Sequence, residues 1–141
     1  MPSTSTKTIA ASEIKPPITL TPDDYKRLSL LARAAETKMP DMASVLAEEL
    51  ERAHVLADGH HSQTVRMGSE VCFRDDATGT VQTATLVYPD GADISQGKIS
   101  VLTPVGAALV GLSAGSSITW KTRSGEIRRL TVLEAGYPRI A

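Results

Sequence analysis

Apolar residues recur at three- and four-residue spacing in two stretches near the start of the chain, which predicts two amphipathic helices. The first begins at Thr21–Asp24, where threonine can cap a helix, proline suits its first position and the aspartates complement its dipole. It stops before Pro40, since proline disfavours helix in the preceding residue. The second, with Asp41 as its predicted cap, ends near Asp58-Gly59.

Two helices of about 16 residues joined by so short a break should pack antiparallel. Each would then be about 24 Å long, which makes a short helical hairpin. Ile18 and Leu20 precede the hairpin as an extended lead-in. Residues 1–17 are Ser/Thr-rich without helical or alternating period, so we predict a disordered tail there.

Beyond His60 the pattern changes to short runs that are β-branched or alternating, separated by Gly, Asp and Pro turns. The predicted strands are Val65–Met67, Glu70–Arg74, Val81–Val87, Lys98–Leu102, Ser117–Lys121 and Ile127–Glu134. Thr103-Pro104 opens one short helix, which Gly111 ends. The prediction is an α+β protein, with a short antiparallel helical hairpin (coiled coil) at 18–59, an antiparallel β-sheet domain at 60–136 and a tail at 137–141.

Composition and charge argue against two classes of function, nucleic-acid binding and membrane association. The chain has 15 basic and 16 acidic residues spread along its length, so no basic face for nucleic acid is visible. No apolar run approaches the roughly 20 residues that span a bilayer, and the first residues lack a signal-peptide core. We therefore expect a cytoplasmic monomer without membrane contact and without direct, sequence-specific nucleic-acid binding.

Candidate catalytic groups are few. His54, His60 and His61 lie at or just beyond the end of the second helix without further ligands at metal-binding spacing, so we interpret them as exposed hinge residues. Cys72 alternates with its strand neighbours and is interpreted as a small buried side chain rather than a nucleophile. Asp75-Asp76 precedes Thr78-Gly79, and a hairpin turn explains the pair. With no phosphate-binding glycine pattern either, we expect no enzyme, no cofactor and no bound metal.

The predicted hairpin tip carries Glu36, Lys38 and Asp41. Carboxylates on a protruding tip can coordinate a metal ion in a partner's active site. Solvated loop charge plus a helix cap explains the same residues and is the favoured interpretation.

One segment has a specific resemblance. Lys98–Gly111 resembles the strand-to-helix signature of the C-terminal domain of the bacterial Gre transcript-cleavage factors. Supporting matches follow in the expected order: Gly68–Val71, Pro89–Asp93, Gly115–Ile118 and Ser124–Glu126. The hairpin is about half the length of the Gre coiled coil, and the whole layout is similar to the regulator of nucleoside diphosphate kinase family. Ile18–Leu20 and Asp23–Tyr25 fit that family as well.

The resemblance implies an FKBP-like C-terminal fold and binding to RNA polymerase at the rim of its secondary channel. It places the docking surface at Leu102, Thr103 and Pro104, with Asp90 and Asp93 on the neighbouring loop. The leading hypothesis is a non-enzymatic regulator that competes there with Gre-type factors. The short hairpin and the lack of a clear acidic pair at its tip argue against transcript cleavage.

Two enzymatic alternatives stay open at this stage. The first is transcript cleavage assisted by the tip carboxylates Glu36 and Asp41. The second is prolyl isomerisation, for which the FKBP-like fold would need an aromatic pocket. The aromatic residues on offer are Phe73, Tyr88, Trp120 and Tyr137.

Overall fold

The computed structural model describes residues 15–56, 63–122 and 124–138. The helices are α1 Pro22–Ala35, α2 Pro40–Arg52 and α3 Pro104–Leu109. The strands are β1 Ile18–Leu20, β2 Ala53–Val55, β3 Ser69–Asp75, β4 Thr80–Val87, β5 Lys98–Ser100, β6 Ser117–Lys121 and β7 Ile127–Pro138. None of the helices in these ranges is long and apolar enough to cross a membrane. Most of the predicted N-terminal tail, residues 1–14, lies outside the described residues.

Helix α1 starts as predicted, because the Thr21 hydroxyl accepts a hydrogen bond from the backbone N–H of Asp24 at 3.1 Å. The predicted cap of α2 was wrong. Met39 occupies the cap position without a side-chain hydrogen bond, and Pro40 is the first helical residue. Proline has its φ fixed near the helical value and has no N–H to satisfy, so Pro40 starts the helix one residue before Asp41.

Helix α2 also ends earlier than predicted, at Arg52 rather than near Asp58. The chain turns extended at Ala53 because β2 pairs in parallel with β1, from Ile18 opposite Ala53 to Leu20 opposite Val55. The lead-in is therefore a strand of a two-stranded sheet. With 14 and 13 residues, the two helices are about 20 Å long, still shorter than the sequence indicated.

The larger sheet has the strand order β5-β4-β3-β7-β6, and the prediction of an antiparallel sheet was wrong for one pair. Strands β4 and β5 are parallel. The connection holds two short 3₁₀ turns, Pro89–Gly91 and Ile94–Gln96, and carries the chain back from the end of β4 to a point beside Thr85. From there β5 runs in the same direction as β4.

Strand β3 is one residue longer at each end than predicted and β4 begins one residue earlier, at Thr80, but three other strand bounds differ by more. The predicted strand at Val65–Met67 is absent, although Thr64, directly before it, forms an isolated bridge with Ser113. Strand β5 ends at Ser100, because the chain turns there toward α3. Strand β7 continues to Pro138, through the start of the predicted tail, since it pairs along β3 as far as Ser69.

The helical hairpin and the larger sheet share one hydrophobic core. Ile18 and Leu20 of β1 are fully buried, and both belong to the cluster that contains the inner residues of the sheet. The backbone N–H of Thr19 donates to the carbonyl of Gly111 at 3.0 Å. A Cβ at Gly111 would lie 2.8 Å from the Cβ of Ile18, so only glycine allows this approach. The predicted boundary at residue 59 therefore divides the chain but not the core.

Candidate partner-binding site

The corner between β5 and α3 is a closed network of short hydrogen bonds. The carbonyl of Ser100 accepts from the Thr103 hydroxyl at 2.7 Å and from the Thr103 backbone N–H at 3.2 Å. The Thr103 hydroxyl accepts from the N–H of Gly106 at 3.1 Å, and the Ser100 hydroxyl accepts from the N–H of Leu102 at 3.0 Å. The cap-then-proline pattern in the sequence thus becomes a corner with a fixed backbone.

Gly106 is required by the packing of this corner. A Cβ on it would overlap the carbonyl oxygen of Ser100, and would lie 2.9 Å from both the carbonyl carbon of Ser100 and the Cα of Val101. These are backbone atoms, which cannot turn aside as a long side chain can. The first turn of α3 therefore packs directly against the backbone at the end of β5.

The residues predicted for docking differ in accessibility. Pro104 is exposed and Thr103 is half-buried. Leu102 was predicted as part of the docking surface, but this residue is only 7% exposed because it belongs to the core. The accessible part of the corner is thus Thr103 and Pro104.

The neighbouring loop exposes both predicted acidic residues. The carboxylate of Asp93 accepts from the N–H of Ser95 at 3.1 Å and from its hydroxyl at 2.6 Å, which caps the second 3₁₀ turn. Asp90 is exposed in the first turn. Directly after Asp93 the loop presents Ile94, which is 78% exposed and was not among the predicted docking residues. Its only signal was a β-branched apolar residue inside an otherwise polar turn.

A cavity of about 270 Å³ opens beside this loop and the corner. Its apolar lining includes Phe73, Ile94, Ile99, Val105, Trp120 and Leu130. Two of the aromatic residues predicted for an isomerase pocket, Phe73 and Trp120, therefore lie in one cavity. Tyr88 is not among the lining residues, and the side chain of Tyr137 lies outside the described part of the chain.

The two aspartates at the end of β3 are tied into an ion-pair network. Asp75 accepts from the N–H of Ala77 at 2.9 Å, which confirms the predicted turn, and pairs with Arg128 at 2.9 Å. The Asp76 carboxylate pairs with Arg74 and Arg129 and accepts from the hydroxyl of Thr131; the distances are 2.7, 3.3 and 2.7 Å.

Asp76 stays ionised in this network. Burial works against its charged form, but the hydrogen bonds from Arg74 and Thr131 outweigh burial and hold the pKa of Asp76 below its ordinary value. Through Arg128 and Arg129 the two carboxylates also join the end of β3 to β7, which is a structural role.

The hairpin tip is open to solvent. Glu36, Lys38 and Asp41 are all exposed, Glu36 and Lys38 around the turn and Asp41 in the first turn of α2. Within the described ranges, no three His, Cys, Asp or Glu side chains are grouped so that they could hold a metal ion. His54 is exposed on β2, whereas His60 and His61 lie outside the described residues.

Cys72 was predicted to be buried, and this was wrong. The side chains of Val71 and Phe73 enter the core, so Cys72 points to the opposite face of β3, where it is half-buried. There it lines a shallow surface cavity with Thr83 and Glu134, its cross-strand neighbours.

The first turn of α1 is hydrogen-bonded to the segment that precedes β3. The Asp24 carboxylate accepts from the backbone N–H of Met67 at 3.2 Å. Burial raises the pKa of Asp24 above its ordinary value, although the bond to Met67 opposes that rise. Burial together with the nearby charge of Asp24 raises the pKa of Tyr88 to about 12. The hairpin and the sheet are thus electrostatically coupled at this point.

We expect Tyr88 to ionise about two pH units later than a free tyrosine, which a spectrophotometric titration of phenolate absorbance will show. The folded state holds this proton more tightly than the unfolded state, so the contribution of Tyr88 to stability is lost as pH rises from about 10 to about 12. Tyr88→Phe should remove the late step, and Asp24→Asn should move it to lower pH. A late step that persists in Tyr88→Phe would contradict the assignment.

Comparison with known proteins matches both parts of this architecture. A family model described as "Transcription elongation factor, GreA/GreB, C-term" matches residues 60–137, more than half of the chain. A second model, "Rnk N-terminus", matches residues 16–56, which hold the small sheet and the hairpin. The chain thus combines a GreA/GreB-type C-terminal domain with an Rnk-type N-terminal part.

The chain is 38% identical over 125 residues to the regulator of nucleoside diphosphate kinase of Escherichia coli K12, covering 87% of this chain and 91% of that protein. It is 36% identical over 104 residues to the transcription elongation factor GreA of Chloroflexus aurantiacus, covering 73% and 66%. A solved transcription elongation factor GreA/GreB from Nitrosomonas europaea superposes with a TM-score of 0.67 at 35% identity, over 85% of this chain and 99% of that one. The chain belongs to the regulator of nucleoside diphosphate kinase family, related to the GreA/GreB elongation factors.

Proposed function

We propose that this protein binds RNA polymerase at the rim of the secondary channel and competes there with Gre-type factors without cleaving transcripts. The observation that carries the proposal is the corner between β5 and α3. Its backbone is fixed by the hydrogen bonds of Ser100 and Thr103, while Pro104 remains exposed on it. A preorganised apolar group of this kind loses little entropy when a partner covers it.

The surroundings of Pro104 support a protein partner. Ile94 extends the exposed apolar surface, and Asp90 and Asp93 supply charge at its edge. An apolar centre with a charged rim is the usual anatomy of a protein–protein contact. The cavity lined by Phe73 and Trp120 lies beside it and offers space for a partner's side chain. Recruitment through this corner would bring the hairpin to the channel entrance.

The hairpin supports the non-cleaving part of the proposal. A helix of about 20 Å reaches less far into a channel than one of double that length. The exposed tip also has Lys38 between its two carboxylates, Glu36 and Asp41, and a positive charge weakens a site for a divalent cation. We therefore expect the tip to occupy the channel mouth without delivering a metal ion.

Pro104→Glu is expected to weaken binding to core RNA polymerase by about tenfold or more, as for loss of a central apolar contact. Glutamate at the first position of α3 suits the helix dipole, so the fold should tolerate it. The measurement is a binding titration with fluorescently labelled protein. Val81→Glu, at an exposed position near the opposite end of β4, serves as the matched control and should bind like wild type.

Equal affinity of Pro104→Glu and wild type would remove the corner as the docking site. The cleavage alternative is decided separately, on stalled elongation complexes with backtracked RNA. We expect no accelerated cleavage at saturating protein, and instead slower cleavage when a Gre factor is also present. Cleavage that the protein itself accelerates, and that Asp41→Asn abolishes, would favour the enzymatic alternative.

A further inference from the structure

A groove between the helical hairpin and the β-sheet domain adjoins the docking corner. It has a volume of about 530 Å³, with Met42 and Val45 of α2 on one wall and Pro104, Ile118 and Trp120 on the other. A space of this volume is in the range that holds a small ligand or several side chains of a partner. We refer to it as the hairpin groove.

The hairpin groove is continuous with the surface proposed for polymerase docking. Pro104, the exposed residue of the corner, is one of its lining residues. Trp120 lines the groove and also the cavity of about 270 Å³ beside Ile94, so the two spaces meet at this side chain. A partner that covers Pro104 therefore also reaches the edge of the groove.

The corner and the neighbouring loop are small for an interface. A specific protein–protein contact buries about 800 Å² on each partner, contributed by about 20–30 residues a side. Thr103, Pro104 and the loop at 89–97 contain fewer residues than that. A stable complex therefore needs neighbouring surface as well, and the hairpin groove is an apolar surface that adjoins Pro104.

The α2 wall of the groove combines accessible apolar side chains with charge. Val45 is 37% exposed, and Met42 is half-buried. Asp41 lies four residues before Val45 and Glu48 three residues after it, so the three side chains share one face of the helix. An apolar side chain between two carboxylates suits a partner that presents an apolar residue flanked by cations.

The charge around the combined surface indicates the kind of partner. Four exposed carboxylates border it: Asp41 and Glu48 beside the groove, and Asp90 and Asp93 beside the corner. Among the residues that line the groove, the basic ones are Lys121, which is exposed, and Lys15, which is half-buried. Since opposite charges across an interface attract and like charges repel, the surface favours a partner element with basic residues at its edges.

We propose that the polymerase element that docks on Pro104 continues into the hairpin groove as a row of apolar side chains with basic residues on its flanks. One side chain of the row packs against Met42 and Val45, and a basic flank lies beside Glu48. This inference rests on the proposed function, because it names further surface and partner chemistry for the same docking event. The walls of the groove come from both the hairpin and the domain, so the docked partner holds α2 against the domain.

The test is a binding titration of labelled variants with core RNA polymerase. Val45→Glu should weaken binding about tenfold, because it places a charge in the apolar part of the contact. Ala47→Glu is the matched control, since Ala47 is exposed on the same helix and lies about 200° around its axis from Val45. The control should bind like wild type, and far-ultraviolet circular dichroism verifies that both variants are folded.

Charge reversal tests the basic flanks of the partner. Glu48→Lys should weaken binding by about threefold, and Lys121→Glu should strengthen it by a similar factor, as for charges at the rim of an interface. Both effects should shrink as salt is added, because exposed charges are screened. If both reversals weakened binding, or if neither changed it, the proposed partner chemistry would be wrong.

The outcomes distinguish this inference from the proposed function. Weaker binding of Pro104→Glu together with unchanged binding of Val45→Glu would overturn the groove and leave the docking corner intact. Unchanged binding of both variants, or no binding of wild type, would overturn both. Sedimentation without polymerase tests a second copy of the chain as the occupant. Self-association of wild type that Val45→Glu abolishes would contradict the inference.

Discussion

Replacing Gly106 with alanine is expected to lower the free energy of unfolding by about 3 kcal/mol, the upper range for overpacking a well-packed site. The added Cβ would overlap the carbonyl oxygen of Ser100 and lie 2.9 Å from the Cα of Val101. Relief requires α3 to move away from β5, which would break the bonds that join Thr103 to Ser100. Urea unfolding followed by circular dichroism measures the loss.

The same titration on Gly91→Ala provides the control. A Cβ at Gly91 would meet only the side chain of Val87, at 3.7 Å, and the backbone there is not left-handed. Alanine should change stability by less than about 1 kcal/mol and can raise it slightly, because it restricts the unfolded chain. If both variants lost the same stability, the close packing of the corner would not be the cause.

The second large effect is expected at the buried ion pair of α2. Glu49 is only 3% exposed, and its carboxylate pairs with Arg52 at 2.7 Å. Arg52→Met would leave the charge of Glu49 buried without its hydrogen-bonded partner and also remove the bond to the carbonyl of Pro16. Removing one partner of a buried ion pair costs about 3–5 kcal/mol, and we expect the free energy of unfolding to fall by an amount in that range near neutral pH.

This loss should depend on pH in a defined direction. Burial already raises the pKa of Glu49 above its ordinary value, while the charge of Arg52 opposes the rise. In Arg52→Met the pKa of Glu49 rises further, so the folded state binds a proton more tightly than the unfolded state. The free energy of unfolding of the variant is therefore closest to that of wild type below about pH 4, and the difference between them grows as pH increases.

The double variant Glu49→Leu/Arg52→Met distinguishes the effect of losing the ion pair from the effect of burying an uncompensated carboxylate. Replacement of both partners by apolar residues is often neutral, so its stability should lie within about 1 kcal/mol of wild type and vary little with pH relative to it. A constant loss in Arg52→Met from acid to neutral pH would show that the charge of Glu49 is not responsible.

Local signals explain the parts of the fold that the sequence predicted. The start of α1 and the corner at Thr103 depend on hydrogen bonds that span three residues, which are visible in a short stretch of sequence. The end of α2 was misplaced because Ala53 leaves the helix to pair with Ile18, a partner far away in the chain. The parallel pairing of β4 and β5 was missed for the same reason, since the path of the connection decides it.

In the candidate site, too, features set by local sequence were predicted and features set by tertiary packing were missed. Pro104 was found from its cap-then-proline pattern, and it is exposed as docking requires. Leu102 was predicted for the docking surface but is buried, and the exposed Ile94 was not predicted at all, since burial depends on which elements pack above a residue. The groove of about 530 Å³ between α2 and the face formed by α3 and β6 could not be predicted at all, because only tertiary packing brings its walls together.

The pairing of β1 with β2 and with the backbone at Gly111 has a consequence for how the protein forms during synthesis. The segment with Ile18 and Leu20 leaves the ribosome early, but Gly111, which its backbone contacts, is made much later. Contacts between residues so far apart in the chain form slowly, because the intervening loop must lose conformational entropy before the contacts can stabilise it. Until then the two buried side chains stay without their cover. A nascent chain arrested before α3 should therefore be sensitive to protease along β1, and should gain protection only once that helix has emerged.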